Sequence, residues 1–151
     1  MQARIKNPVA LFPTVYPAVQ EILKAAGEGG VPETTMHLLH HRTSQINGCG
    51  FCVVGGVAAA KKAGETDERL HAVTAWRDAP YFTDAERAAL ELAESMTRLS
   101  DSSDPVPDRI WDAAAEHFDE KQLGSIVLMV GMTNLFNRVN VATRQVAGPT
   151  W

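Results

Sequence analysis

Cys49 and Cys52 are the only cysteines in this chain of 151 residues, and they stand in the stretch Ser44-Gln45-Ile46-Asn47-Gly48-Cys49-Gly50-Phe51-Cys52. Cysteines three apart share one face of a helix with roughly 5–6 Å between their Cβ atoms, so small adjustments permit a disulfide. If Gly48 breaks the preceding helix, Cys49 falls in the first turn of the next. Unpaired N–H groups and the helix dipole stabilise a thiolate there. The chemistry on offer is therefore a dithiol that opens and closes. A reducing compartment keeps cysteines as free thiols unless they are catalytic, redox-sensing or metal-bound. The βαβ pattern that usually surrounds a redox CxxC is missing, which argues against a thioredoxin fold.

The rest of the chain must hold that pair in place. Its length fits one domain, residues 1–151, and a domain of this size buries roughly 68–70% of its unfolded surface, so neither a metal nor a disulfide is needed for stability. Hydrophobic residues make up 45% and charged residues 21%, proportions of a globular chain rather than a disordered or membrane one. A net charge of -4 without a basic cluster argues against nucleic-acid binding. The segment before Pro17 has prolines at 8 and 13 and no continuous apolar run, which predicts no signal peptide and a cytoplasmic location. The longest apolar stretch, Leu123 to Phe136, is broken by Gly124, Ser125, Thr133 and Asn134. It is too short and too polar to span a bilayer and reads as a buried helix.

Helices account for the whole pattern. Residues 8–17 are expected to run extended, and a first helix covers Ala18 to Ala26 before Gly27, Gly29 and Gly30 end it. Pro32 and Glu33 suit the first turn of a second helix, with Met36, Leu38, Leu39, Ile46 and His37 as candidates for its inner face. A third starts near Cys49 and runs to Gly64, and Thr66 with Asp67 and Glu68 opens a fourth. Thr83 and Glu86 form a capping box. The helix they open, Asp84 to Leu99, places Ala88, Leu92, Ser95, Met96 and Leu99 on one face. After the linker Pro105 to Pro107 come a short helix, Ile110 to Phe118, and a long one from the cap Asp119/Gln122 to about Val146. The predicted class is an all-α bundle. Its last helix is apolar around so much of its circumference that it should be central or lie in a subunit interface.

With its motifs laid out, the chain resembles the alkylhydroperoxidase D-like proteins of the carboxymuconolactone decarboxylase superfamily. The resemblance rests on Ser44 to Cys49 with Cys52, Gly64-Glu65-Thr66 and Leu70, Trp76-Arg77, Phe82, Glu86-Arg87-Ala88-Ala89-Leu90, and Asn134-Leu135-Phe136-Asn137-Arg138. It implies an all-helical homo-oligomer. In redox-active members it implies a dithiol that reduces a hydroperoxide substrate and is recycled by a dithiol or a reductant protein, with no cofactor and no metal. Members lacking the cysteine pair include true decarboxylases, so Cys49 and Cys52 place this chain nearer the peroxidase-like branch.

Two positions depart from that pattern. Redox-active members carry a Glu twelve residues before the first cysteine and a His four after the second, joined in a proton relay. Here those positions hold His37 and Gly56. One expectation is that His37 reaches into the space left at Gly56 and serves as the base; the other is that the relay has decayed, leaving a redox-sensing or non-catalytic structural oligomer. By resemblance Cys52 attacks the peroxide and Cys49 resolves it, whereas the helix start favours Cys49 as thiolate, so the order stays open. His37 and His41, at i and i+4, could join the cysteines in a zinc site, but the dithiol chemistry already accounts for the cysteines, and His40 and His41 are expected to face solvent. Arg42 is expected to meet a carboxylate or helix end, Trp76 and Phe82 to be buried anchors, and Asn134, Asn137 and Arg138 to fix helix packing or subunit contacts.

Overall fold

The computed structural model describes residues 1–148; the end of the single domain expected over 1–151 lies outside the described residues. Eight helices follow one another without a strand among the described residues: α1 (Pro8–Leu11), α2 (Val15–Gly27), α3 (Glu33–Ile46), α4 (Gly50–Lys62), α5 (Asp67–Ala72), α6 (Asp84–Thr97), α7 (Asp108–Ala115) and α8 (Glu120–Thr143). The fold class is the expected one.

Local chemistry sets most of the helix ends. Thr66, Thr83 and Asp119 each accept a backbone N–H from the third residue of the helix they open, and Glu86 and Gln122 return the bond in two capping boxes. The proline-rich segment is not extended as expected. Pro8 is the first residue of α1, whose N-cap Asn7 accepts from Val9 N–H, and Pro17 sits in the first turn of α2. A proline loses nothing in a first turn, because the N–H it lacks would have no partner there.

α3 lies at the centre, packed on α4, α6 and α8, with α2 across α8. Leu38 and Leu39 of α3, Leu90 and Leu92 of α6, and Ile126 and Val130 of α8 are fully buried at this junction. The inner face of α6 is the expected one only in part: Leu92 is fully buried and Ala88 and Met96 pack against the core. Leu99 is 57% exposed, while Glu86 and Glu94 are buried beside Ala89, Leu90 and Ala93. Glu94 can go inside because Arg42 (2.6 Å), Arg77 (2.8 Å), Arg98 (3.2 Å) and the Trp76 indole N–H (3.1 Å) all donate to it. Burial alone raises its pKa. The bonds from Arg77, Arg42 and Trp76 outweigh that and hold the carboxyl at about 2. Arg87 donates to the carbonyls of Trp76, Arg77, Ala79 and Phe82 and so fixes the loop between α5 and α6.

α8 is central on one side only. It stops at Thr143 rather than near Val146, where Arg144 takes a left-handed conformation (φ 54°). Leu128 and Leu135 on its outer side are 44% and 43% exposed, and Val141 in its last turn is 48% exposed. Among the described residues no helix is long and apolar enough to cross a membrane.

Candidate functional site

The site is built at the turn between α3 and α4. Asn47 closes α3, Gly48 takes a φ of +66° that a side chain would strain, and Cys49 caps α4. Asn47 Nδ2 donates to Asn134 Oδ1 and Asn137 Oδ1, each at 2.9 Å, and Asn137 Nδ2 donates to Ser44 Oγ at 3.1 Å. Those four polar side chains fasten the turn to α8. Arg138 stays on its own helix, bonded to the Asn134 side chain at 2.8 Å.

Cys49 and Cys52 are disulfide-bonded, with 5.3 Å between their Cα atoms. Their surroundings differ. The Cys49 sulfur is the N-cap acceptor of α4, taking the Cys52 backbone N–H at 3.3 Å. It therefore sits where the N-terminal dipole of the helix favours negative charge. The Cys52 sulfur instead accepts from Asn140 Nδ2 of α8 at 3.3 Å. Both residues are nearly enclosed, Cys49 at 1% and Cys52 at 5% exposure. An open depression of about 660 Å³, lined by Gly48, Phe51, Val141, Arg144 and Gln145, reaches Cys49 and not Cys52.

The histidine at this site is not the expected one. A Cβ placed at Gly56 would lie 2.8 Å from His40 Cδ2 and 3.1 Å from His40 Nε2, so the imidazole of His40, not that of His37, fills the vacant position. The register of the helical hairpin explains it: His40 is eight residues before Gly48 and Gly56 eight after, which brings them level, whereas His37 is eleven before. His37 Nε2 turns instead to Glu33 Oε1 at 3.6 Å on its own helix. His40 Nδ1 meets Thr133 Oγ1 at 3.2 Å, and a hydrogen bond ties the ring to the Cys52 backbone. Burial lowers its pKa to about 4, with His37 and His41 adding to the effect and the Cys52 bond opposing it. At neutral pH the ring is uncharged.

His41 does not face solvent as expected: it is buried against Gln45, its Nε2 3.1 Å from Gln45 Nε2, and burial lowers its pKa as well. Among the described residues no group of three or more His, Cys, Asp or Glu side chains is arranged to hold a metal ion. Arg42 meets the Glu94 carboxylate; Trp76 and Phe82 are buried, at 5% and 6% exposure. The sequence reading missed His40 and Asn140. For His40 the signal was available in the equal count from Gly48; Asn140 carried only its spacing of three from Asn137.

Known proteins agree with this architecture. The model of the carboxymuconolactone decarboxylase family matches residues 13–95. The uncharacterized protein YdfG of Bacillus subtilis (strain 168) is 35% identical over 124 residues, 82% of this chain and 83% of that one. Among solved structures, ATU0492 of Agrobacterium tumefaciens, a protein of unknown function proposed to be the antioxidant defence protein AhpD, superposes with a TM-score of 0.88 at 27% identity. The match covers 97% of this chain and 99% of that one. The debrominase Bmp8 shares the fold, with a TM-score of 0.80 at 18% identity over 91% of this chain and 73% of that one. The chain therefore belongs to the carboxymuconolactone decarboxylase family, as an AhpD-like member with its cysteine pair in place.

Proposed function

We propose that this protein is a thiol oxidoreductase that reduces hydroperoxides through a cycle of Cys49 and Cys52. The observation that carries it is the disulfide-forming pair at the start of α4, with Cys49 at the wall of an open depression. In the reduced protein the Cys49 thiolate, favoured by the helix N-terminus, attacks the terminal peroxide oxygen. The O–O bond breaks and the alkoxide takes a proton to leave as alcohol. Cys49 is then a sulfenic acid. The Cys52 sulfur attacks the Cys49 sulfur, hydroxide leaves as water with a proton, and the disulfide forms. His40 is the group beside Cys52 suited to take up the Cys52 proton. Its pKa of about 4 belongs to the disulfide state, and a thiolate formed beside it would raise that value. A dithiol supplied as a small molecule or by a reductant protein attacks Cys49, the Cys52 sulfur leaves, and the second external thiol completes a two-electron reduction.

Steady-state turnover of hydrogen peroxide and an alkyl hydroperoxide with dithiothreitol tests this assignment. Cys49→Ser and Cys52→Ser are each expected to abolish turnover. A second function, redox sensing without turnover, is favoured by one observation: both cysteines are at most 5% exposed. It predicts a disulfide that forms once, slowly, and is not cycled. The protein is further proposed to act as a homo-oligomer in the cytoplasm, supported by the exposed apolar residues Leu128, Leu135 and Val141 on α8.

A further inference from the structure

The Cys52 sulfur is joined to the amino-terminal arm of the chain by two asparagine amides. Asn7 caps α1, and its Oδ1 accepts the Val9 N–H at 3.0 Å. Its Nδ2 is thereby left to face Asn140, donating to Asn140 Oδ1 at 3.0 Å. With its oxygen so engaged, Asn140 turns its own Nδ2 to Cys52 Sγ at 3.3 Å. An amide offers a donor on one side and an acceptor on the other, so the orientation of the first fixes that of the second. The arm is held in turn: Arg4 N–H donates to the Thr143 carbonyl at 2.9 Å, Arg4 Nη1 to the Ala142 carbonyl at 2.9 Å, and Gln145 Nε2 to the Ile5 carbonyl at 3.1 Å. Asn140 is buried at 4% exposure, where a hydrogen bond to a charge is worth more than in water.

We infer that Asn140 is the donor that stabilises the Cys52 thiolate whenever the Cys49–Cys52 bond opens, and that Asn7 is the positioning residue that keeps its N–H side toward the sulfur. When an external thiolate attacks Cys49 Sγ, the S–S bond breaks and its electron pair passes to Cys52 Sγ. Asn140 Nδ2 already points at the atom that receives the charge. A stabilised thiolate lowers the Cys52 pKa, speeds its departure and makes the disulfide more oxidising. An amide turned the other way would present Oδ1 to the same charge and act against it. The inference rests on the proposed dithiol cycle but needs no hydroperoxide for its test.

The Cys52 pKa is read from ultraviolet thiolate absorbance in a Cys49→Ser background, and the dithiol–disulfide equilibrium in the two-cysteine protein is poised with dithiothreitol. Asn140→Ala is expected to raise the Cys52 pKa by about 1–2 units, the worth of one hydrogen bond to a charged group. It should also shift the equilibrium roughly tenfold toward disulfide, or ~30 mV. Asn7→Asp keeps the acceptor for Val9 but offers Asn140 only an acceptor, forcing the amide to reverse. Its effect should exceed that of Asn7→Asp in the Asn140→Ala background, where only the added charge acts. Equal effects in the two backgrounds would remove Asn7 from the assignment. An unchanged pKa and equilibrium in Asn140→Ala, with helical content intact, would overturn the assignment of Asn140. If Asn140→Ala does not fold, an Asn7→Asp protein with wild-type pKa and equilibrium overturns the inference instead. A wild-type disulfide that dithiothreitol cannot open defeats the dithiol cycle itself, a result distinct from an open pair that is indifferent to Asn140.

Discussion

His40 and Gly56 face each other across the α3–α4 hairpin, the imidazole of one filling the space that a side chain at the other would need. A Cβ at position 56 must push the ring aside, against its bonds to Thr133 and to the Cys52 backbone. Gly56→Ala is therefore expected to destabilise the fold by about 1–3 kcal/mol through overpacking. His40→Ala should relieve much of that cost in the double variant. Urea titrations of the two single variants and the double variant check it; additive losses would mean the residues do not share the space.

The lowered pKa of His40 makes stability depend on pH in a defined direction. Folded, the ring titrates at about 4; unfolded, at the ordinary 6.5. Between those values unfolding takes up a proton, so acid favours the unfolded chain. Stability should fall as pH drops from 6.5 to 4 by up to about 3 kcal/mol, and this contribution should level off below 4. His40→Gln should flatten the slope. A residue of it remains with His41, whose pKa burial lowers in the same sense. Chemical denaturation at a series of pH values reads both curves, and superimposable curves would contradict the buried, neutral ring.

Glu94 acts in a lower window. Its carboxyl, at about 2 rather than 4.5, stabilises the fold above 4.5, and that stability is lost as pH falls toward 2. Glu94→Ala leaves the largely buried Arg42 without its carboxylate and should cost about 3–5 kcal/mol. Thermal melts of Glu94→Ala and Glu94→Gln check this; loss of less than about 1 kcal/mol in both would mean the cluster is solvated.

Helix ends were legible in the sequence because caps are local: Thr66, Thr83 with Glu86, and Asp119 with Gln122 act within four residues. The inner face of α6 was legible only in part, through Ala88, Leu92 and Met96. Apolar spacing cannot show that Glu94 enters the core, since two of the three arginines that permit it come from α3 and from the loop after α5, and only Arg98 is local. The cysteine pair was legible for the same reason as the caps. His40 required knowing that α3 and α4 form a hairpin about Gly48. The Asn7–Asn140 contact joins residues 133 apart and left no local trace.

Assembly is open to a direct check. Leu128 and Leu135 stand exposed seven residues apart on one face of α8, and exposed apolar side chains so placed suit an interface between copies. Light scattering at micromolar concentration should give a multiple of the 16.4 kDa chain mass. Leu128→Glu should shift the mass toward that of one chain. A wild-type mass of 16.4 kDa would show that the face is simply solvated.

The most direct test of the proposed peroxide chemistry follows thiols and hydroperoxide together in a single turnover of the fully reduced protein, with mass spectrometry of the product. The expected result is loss of two thiols per hydroperoxide consumed, formation of one alcohol, and a chain lighter by two hydrogens through a Cys49–Cys52 bond that dithiothreitol reverses. Thiols that survive an excess of hydroperoxide, or a sulfinic acid on one cysteine with the other untouched, would contradict it.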